Sequence, residues 1–557
     1  MPEDPKRRPL RVAFENLDLE VEVSAGISLL DAIRSAGLAI DSACGGRGTC
    51  GECRVRFLEG VHRPSVEDET ILSPEEIAEG WRLACQSFLS TDCRVIIPER
   101  TARARRRKIR VLTESAAGVT TPQQRGTLTG YGIAVDIGTT TVVCYLMDLA
   151  QARQIGVNSF ANPQQAFGPD VISRIMYAHR GPDELEELQR RLVSNLERGF
   201  MTLCKEASIK PEDITLVTAV GNTTMSHLFR GIDPWSLGVA PYEPVFLESP
   251  PLKGEAFGFR RFAKTKIRLL PNIGGHLGSD ITAGVMALDL AHRKGVSLFM
   301  DLGTNGEVVL CAKGIMAGTS CAAGPVFEGV HVHHGMPAFP GAIERVDEED
   351  GRVQLDTIDN QEPLGICGSG LVDAVALLLR HHIVLPSGRM IAPQQAPANL
   401  PEDFRRRLRE DESGRSFLLL EDGLPDDILL TQNDIRQVQL AKAPIRSGVE
   451  MLLKEAGRTE DEIDVVYVAG GFGSSVRSES LLALGVLPES VRGRIRAVGN
   501  TAGLGAKLAL AYPERLRETH RIAREIKHVD LVLREDFREA FAQNVLFPDG
   551  AAQFAAG

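Results

Sequence analysis

Residues Ile133–Asp148 read IAVDIGTTTVVCYLMD. Two apolar runs flank a Gly-Thr turn, so the stretch reads as strand, tight turn, strand, with Asp136 closing the first run. Gly138 permits the turn, and Thr139, Thr140 and Thr141 offer hydroxyls and amide N–H groups. The plan returns at Leu298–Cys311, LFMDLGTNGEVVLC, with Asp301, Gly303, Thr304, Asn305, Gly306 and Glu307. Turns of this kind cradle phosphate groups, while aspartates at their base hold a water-coordinated Mg²⁺. One such turn is a weak signal; the second copy, with the same strand character, makes it a duplicated architecture.

Working outward, Val465–Ser475 (VVYVAGGFGSS) is an apolar strand opening into Gly470, Gly471 and Gly473. Gly274–Leu290 and Gly499–Leu510 are helix-forming pieces, one just before the second turn and one after the glycine-rich strand. Five elements in this order resemble the actin-like superfamily. There the Gly-Gly turn packs under an adenosine and the two helices form the hinge between halves. Rival nucleotide signatures are missing: no GxxxxGK[ST] occurs, nor a strand-linked GxGxxG with its following acidic residue.

The N-terminal part carries a different chemistry. Cys44-GGRGT-Cys50-GE-Cys53 is followed some thirty residues later by Cys85. Four thiolates suit a [2Fe–2S] cluster. Small residues at Gly45, Gly46, Gly48 and Gly51 let the chain turn around it and bring amide N–H groups to its sulfurs. A structural zinc site is the alternative, although zinc pairs usually come as two CxxC knuckles. Leu10–Phe14 and Leu19–Val23 alternate as a hairpin, Ser28–Ala36 has helical spacing, and Arg54–Phe57 reads as a strand. A short helix over Glu75–Trp81 and a strand over Cys93–Ile97 complete a β-grasp. The segment resembles the [2Fe–2S] ferredoxins of that fold. Five residues separate the first two cysteines where the plant-type pattern has four, which matches the adrenodoxin-like branch. Phe14, Phe57 and Phe88 are expected in its core, with Trp81 packing near Cys85. Cys93, Cys144, Cys204, Cys311, Cys321 and Cys367 are expected to be core thiols.

The expected organisation is therefore multidomain α+β and α/β. A β-grasp ferredoxin domain (8–98) leads through a linker (99–129) to a two-part actin-like, ribonuclease H-like ATPase, with halves 130–292 and 293–557. The linker stretch Arg100–Arg110 holds seven basic residues; it reads as a solvated connector or as a docking strip for an acidic partner. The polar stretch Gln395–Leu420 has no clear pattern. A length of 557 residues suits several domains, and 43% hydrophobic with 25% charged residues is ordinary for a globular protein. The net charge of −11 argues against nucleic acid as a partner. No apolar h-region follows the charged first residues and no run is long enough to span a membrane, so a cytoplasmic protein without a membrane partner is expected. Ten cysteines, three of them within ten residues, read as metal binding rather than a disulfide framework.

The whole combination resembles the reductive activators of corrinoid-dependent proteins and methyltransferases. Further segments fit that family: Asn162–Ile175 (NPQQAFGPDVISRI), Val220–Leu228 (VGNTTMSHL), Cys321–Gly329 (CAAGPVFEG), Gly335–Glu344 (GMPAFPGAIE) and Ile366–Asp373 (ICGSGLVD). The resemblance implies a [2Fe–2S] cluster on Cys44, Cys50, Cys53 and Cys85. ATP and Mg²⁺ would lie between Asp136, Gly138, Thr139 and Thr140 on one side and Asp301, Gly303, Thr304, Asn305 and Gly306 on the other, with Gly470, Gly471 and Gly473 under the base. Glu307 would orient the attacking water. The implied partners are a low-potential electron donor, a Co(II) corrinoid protein or methyltransferase, and a second copy of the chain. A plant-type cluster sits near about −400 mV, and each ~59 mV uphill costs tenfold in equilibrium for one electron, so ATP would supply the missing free energy. Other readings are an ATP-gated electron donor to a different low-potential enzyme, such as the activators of 2-hydroxyacyl-CoA dehydratases, a small-molecule kinase with a ferredoxin appendage, or a redox-sensing ATP switch without a corrinoid partner. His331, His333 and His334 are a surface turn or metal ligands, and Ser369 is a helix start or a partner contact.

Overall fold

The computed structural model describes residues 9–97 except 18, 37, 39, 41–45, 47, 49–50, 52 and 61–62, and residues 128–549 except 413, 421–426, 474 and 533. Cys44, Cys50 and the stretch Arg100–Arg110 fall outside the described residues.

The N-terminal unit is a five-stranded sheet of β1 (Leu10–Phe14), β2 (Leu19–Val23), β3 (Arg54–Glu59), β4 (Trp81–Leu83) and β5 (Cys93–Ile96), in the order β2-β1-β5-β3-β4. Strands β1 and β2 form the expected antiparallel hairpin, and β5 runs parallel to β1. Period-two alternation puts Val12 and Phe14 on the inner face, where they meet Leu29, Leu30 and Ile33 of the helix Leu29–Ser35. Each such burial contributes about 1.5–3 kcal/mol. Ser28 starts the helix, its Oγ accepting from the Asp31 N–H at 3.1 Å.

The structure departs from the sequence expectation at Trp81 and at Phe88. The helix expected over Glu75–Trp81 runs only over Pro74–Ala78, after a further short helix at Val66–Ile71, and Trp81 opens β4 because it pairs with Arg56 of β3; cross-strand pairing overrides local helical spacing. Phe88 is 59% exposed. It sits at a bridge to Ser28, and the alternation there sends Leu89 inward instead. Phe14 and Phe57 are in the core, as are all six of the other cysteines, and Trp81 packs against the same cluster.

The rest of the chain holds two six-stranded sheets of matching plan. The first contains β6 (Tyr131–Ile137), β7 (Thr141–Asp148), β8 (Arg153–Ala161), β9 (Ile214–Gly221), β10 (Leu252–Lys253) and β11 (Lys266–Leu269), in the order β10-β11-β9-β6-β7-β8. The second contains β12 (Val296–Leu302), β13 (Gly306–Ala312) and β14 (Ile315–Cys321), with β21 (Ile463–Ala469), β22 (Ile495–Gly499) and β23 (Lys527–His528), in the order β22-β21-β12-β13-β14-β23. Each sheet is an antiparallel meander with parallel strands added beside its first strand. The central strands are buried on both faces, which explains their unbroken apolar runs. Two small sheets are inserted in the second half: β15 (Ala342–Glu349), β16 (Arg352–Thr357) and β17 (Gly365–Ile366), then β18 (Leu408–Asp411), β19 (Gly414–Leu420) and β20 (Ile428–Thr431). The unpatterned stretch Gln395–Leu420 thus makes a short helix, Glu402–Arg407, and two strands.

The helices Ser279–Ala287 and Thr501–Ala511 cross between the two sheets and are buried almost throughout. Their contact requires Gly505, because a Cβ there would lie 2.3 Å from the Ala283 carbonyl oxygen. This crossing joins the two halves through one shared apolar cluster that includes Tyr145, Ile281, Phe299, Tyr467 and Leu504.

Candidate functional site

Strand pairing sets the two described cluster cysteines close together. Arg54 of β3 lies opposite Leu83 of β4, and the Ala84 N–H donates to the Cys53 carbonyl at 2.8 Å. Both Cys53 and Cys85 are buried. Gln86 Nε2 donates to Cys85 Sγ at 3.4 Å and to the Gly46 carbonyl at 3.1 Å, so the loop of the first cysteines is tied to the fourth. Buried thiols from adjacent strands, with an amide aimed at sulfur, fit a cluster site. Cys93 differs: burial pushes its thiol up to about 11, the state of an inert core residue.

The second site lies between the two sheets. Asp136 near the end of β6 and Asp301 near the end of β12 face it, joined by Asp280 at the start of a crossing helix and Glu307 at the start of β13. Glu307 pairs across the ladder with Asp301 and accepts from Ser320 Oγ at 3.4 Å. Burial pushes Asp136 up to about 6, with the Asn500 amide, 2.7 Å from its Oδ2, opposing. Burial and the neighbouring Asp136 push Asp280 up to about 7; burial, Asp280 and Asp136 push Asp301 up to about 8; Glu307 rises in the same way. Four carboxylates so desolvated and so close repel one another, and a divalent cation relieves that repulsion.

The sign of the resulting pH dependence is fixed. Carboxyls that titrate near 4 in the unfolded chain and higher in the fold bind more protons when native, so stability falls as pH rises through that window. Asp301→Asn removes one such group. Its thermal midpoint is expected to gain on the parent as pH goes from about 4 to about 8 without metal. A scanning calorimetry series measures this, and a constant difference would contradict it.

The two turns meet above the carboxylates. Glu328, in a 3-10 turn over Pro325–Glu328, accepts from Thr140 Oγ1 at 3.0 Å and from Thr304 Oγ1 at 2.8 Å. One carboxylate thus bridges both turns through the hydroxyls expected to bind phosphate. It is half-buried; desolvation raises its pKa, while the two hydroxyls and Arg174 lower it. The first turn rests on a polar scaffold. Asn162 Nδ2 donates to the Gly138 carbonyl at 2.8 Å, Asn222 Nδ2 to Thr139 Oγ1 at 3.0 Å, and Gln165 Nε2 to the Thr140 carbonyl at 2.5 Å. The fully buried Arg174 donates to the Thr139 carbonyl at 2.6 Å. Burial pushes its guanidinium down to about 9.

The glycine-rich strand end completes the cleft. Gly470 has φ +91, and a Cβ on it would fall 2.5 Å from the Leu302 carbonyl and 2.6 Å from Asp301 Oδ1. Only glycine lets this turn close over the end of β12. The short helix Gly470–Gly473 follows at once, with Gly471 exposed.

The structure brings Asp136, Thr139, Thr140, Asp301, Thr304, Glu307 and Gly470 together. Sequence reasoning missed Glu328, Asp280, Arg174, Asn162, Gln165, Asn222 and Asn500. The segments quoted above for the family resemblance hold Glu328, Arg174, Asn162, Gln165 and Asn222, and the helix-forming pieces hold Asp280 and Asn500. The histidine group is not gathered around a point: His331 and His333 are exposed, and His334 is buried with its Nδ1 accepting from the Leu429 N–H at 2.8 Å. Ser369 is buried at the start of the helix Gly368–Arg380, 3.4 Å from Cys367 Sγ.

Fold and site define a class: a ferredoxin-type domain joined to an actin-like fold with an acidic interdomain cleft. The chain belongs to the RACo family: models of the RACo middle region and of the C-terminal ASKHA domain of RACo match it over 131–293 and 295–556, and a model of the 2Fe-2S iron-sulfur cluster binding domain matches it over 13–90. It is 32% identical to the corrinoid activation enzyme RamQ of Eubacterium limosum, over 97% of this chain and 99% of the relative. A Co(II) methylated amine-specific corrinoid protein reductase of Methanosarcina barkeri is 24% identical over 74% and 76% of the two chains. Among solved structures, a reductive activator for corrinoid, iron-sulfur protein matches with a TM-score of 0.67 and 31% identity, over 97% and 98% of the chains. Among the described residues, no helix is long and apolar enough to cross a membrane.

Proposed function

We propose that this chain is an ATP-dependent reductive activator that passes one electron to an inactive Co(II) corrinoid protein and restores Co(I) for methyl transfer. The observation that carries the ATP part is the Glu328 bridge between Thr140 and Thr304 beside a group of four carboxylates, half-buried except for the buried Glu307. The names of the similar proteins support the corrinoid part.

Cys53 and Cys85, with Cys44 and Cys50, would hold a [2Fe–2S] cluster, which supplies a one-electron site when bound. Gln86 donates toward the Cys85 sulfur, stabilising negative charge there. Asp136, Asp280, Asp301 and Glu307 would take Mg²⁺, largely through water. Thr139, Thr140 and Thr304 would donate hydroxyl hydrogen bonds to phosphate oxygens. Gly470, Gly471 and Gly473 would lie under the adenosine. Phosphate entry displaces the Glu328 carboxylate from the two threonines and frees it to orient the attacking water, a role better served from there than from Glu307 in the ladder below. Asn500 links this event to the crossing helices, since it holds Asp136 and begins the helix Thr501–Ala511. Closure of the halves favours a docked corrinoid state that is easier to reduce.

An anaerobic stoichiometric titration tests the electron count. Dithionite-reduced protein with Mg-ATP is mixed with a Co(II) corrinoid protein, and the paramagnetic signals of reduced cluster and Co(II) are followed together. One cobalt reduced for each cluster oxidised supports the reading. Cobalt reduction with the cluster signal unchanged contradicts it.

A further inference from the structure

A cavity of about 300 Å³ lies far from the phosphate turns, where the first sheet meets the helices Thr501–Ala511 and Pro513–Glu525. This is the lower end of small-molecule cavities, about 300–1,000 Å³. Leu216, Leu510 and Leu516 give it apolar walls, Thr215 stands at its edge, and Lys266 and Arg268 of β11 bring two cations to it.

Strand alternation explains the cations. Ile267 and Leu269 enter the core on one face of β11, so Lys266 and Arg268 share the other. Lys266 is exposed, while Arg268 is half-buried. Among the described residues, neither side chain has a hydrogen-bond or ion-pair partner. Burial lowers the pKa of the Arg268 guanidinium, and among the described residues no carboxylate opposes it. In register with Arg268 on β9, Thr218 Oγ1 is fully buried and also lacks a partner. A guanidinium carried into an apolar cavity without a counter-charge is costly unless an anion completes it. The comparably buried Arg477 is paired with Asp373, whereas Arg230, also half-buried, has no carboxylate partner among the described residues and lies over the Phe257 ring instead.

We infer that this cavity is a binding site for a small organic anion, a carboxylate or phosphate on an apolar body. The acid group pairs with Arg268 and Lys266 and the body lies against Leu216, Leu510 and Leu516. The site borders both actin-like halves. It also lies at the far end of the helix that begins beside Asn500, roughly 14 Å along its axis from the Asp136 contact. It is thus separate from the nucleotide cleft, and it stands independently of the corrinoid reading.

The test is calorimetric titration of the full-length holoprotein, in low salt without phosphate, using benzoate, phenyl phosphate and the neutral benzyl alcohol. Saturable binding of benzoate or phenyl phosphate is expected, with benzyl alcohol at least roughly tenfold weaker. The tighter of the two anions identifies the acid as carboxylate or phosphate. Arg268→Gln is expected to weaken the anion at least roughly tenfold. Lys266→Glu, at an exposed position, keeps the fold and gives Arg268 an internal partner. It should abolish anion binding and leave the thermal midpoint equal or higher. No saturable heat with either anion overturns the inference. So does anion binding that both variants leave unchanged.

Discussion

Cys85→Ala is expected to yield a protein that still hydrolyses ATP but reduces no cobalt. Cys85 is buried beside Cys53 at the end of a paired strand, and no other described thiol can replace it. Cys93 faces the core between β1 and β3, and the remaining described cysteines lie in the actin-like halves. Loss of one of the four proposed ligands removes the proposed electron site, while the proposed nucleotide cleft is built from residues beyond 130 and keeps its geometry. Visible absorption of the cluster should disappear from the purified variant, and Co(I) formation with Mg-ATP should fall to the detection limit. ATP hydrolysis should stay within about twofold of the parent, as for a substitution away from the cleft. Full cobalt reduction by the variant would remove the cluster from the account. Loss of both activities would mean that the two sites act as one unit.

Glu328→Gln is the second large effect. Glutamine keeps an oxygen for the Thr140 and Thr304 hydroxyls, so the two turns stay bridged. It cannot carry charge or accept a proton from water. Hydrolysis should drop by about 10²–10⁴-fold, the usual contribution of a positioned acid–base group. Nucleotide affinity should hold or rise, because a carboxylate that competes with phosphate for the same hydroxyls loses its charge. Single-turnover hydrolysis and equilibrium binding of ATP separate the two. A variant with normal turnover would return the water-orienting role to Glu307, and one with weakened binding and normal turnover would make Glu328 only a brace.

Much of this architecture was legible in the residues because the decisive elements are local. Asp136, Gly138 and Thr140 lie within five positions, and so do Asp301, Gly303 and Thr304. A strand that ends in such a turn reads the same in sequence and in space. The crossing helices were legible as helix-forming pieces at fixed places in the chain order, and Gly284, Gly503 and Gly505 give the close packing that the structure shows there. Glu328 was not. It stands in a short 3-10 turn with no periodicity, and its partners lie 188 and 24 positions away. Asn500 and Asp136 are 364 positions apart, so only the fold shows that one holds the other. Arg174 looks like an ordinary helix residue until burial reveals that its charge supports a loop. Phe88 failed in the opposite sense: hydropathy alone sends it inward, whereas the bridge to Ser28 turns it out.

The same distinction applies to Arg268 and Lys266. Their alternation with Ile267 and Leu269 is visible in sequence, but the lack of a counter-charge among the described residues is a property of the assembled cavity.

The central claim is that nucleotide binding between the two halves drives an uphill electron transfer to cobalt. The most direct measurement is the visible spectrum of a Co(II) corrinoid protein mixed anaerobically with the reduced chain, recorded with and without Mg-ATP. The account predicts Co(I) bands that grow only when Mg-ATP is present. Equal Co(I) in its absence, or a spectrum that stays Co(II) while the cluster is reduced and ATP is bound, would contradict it.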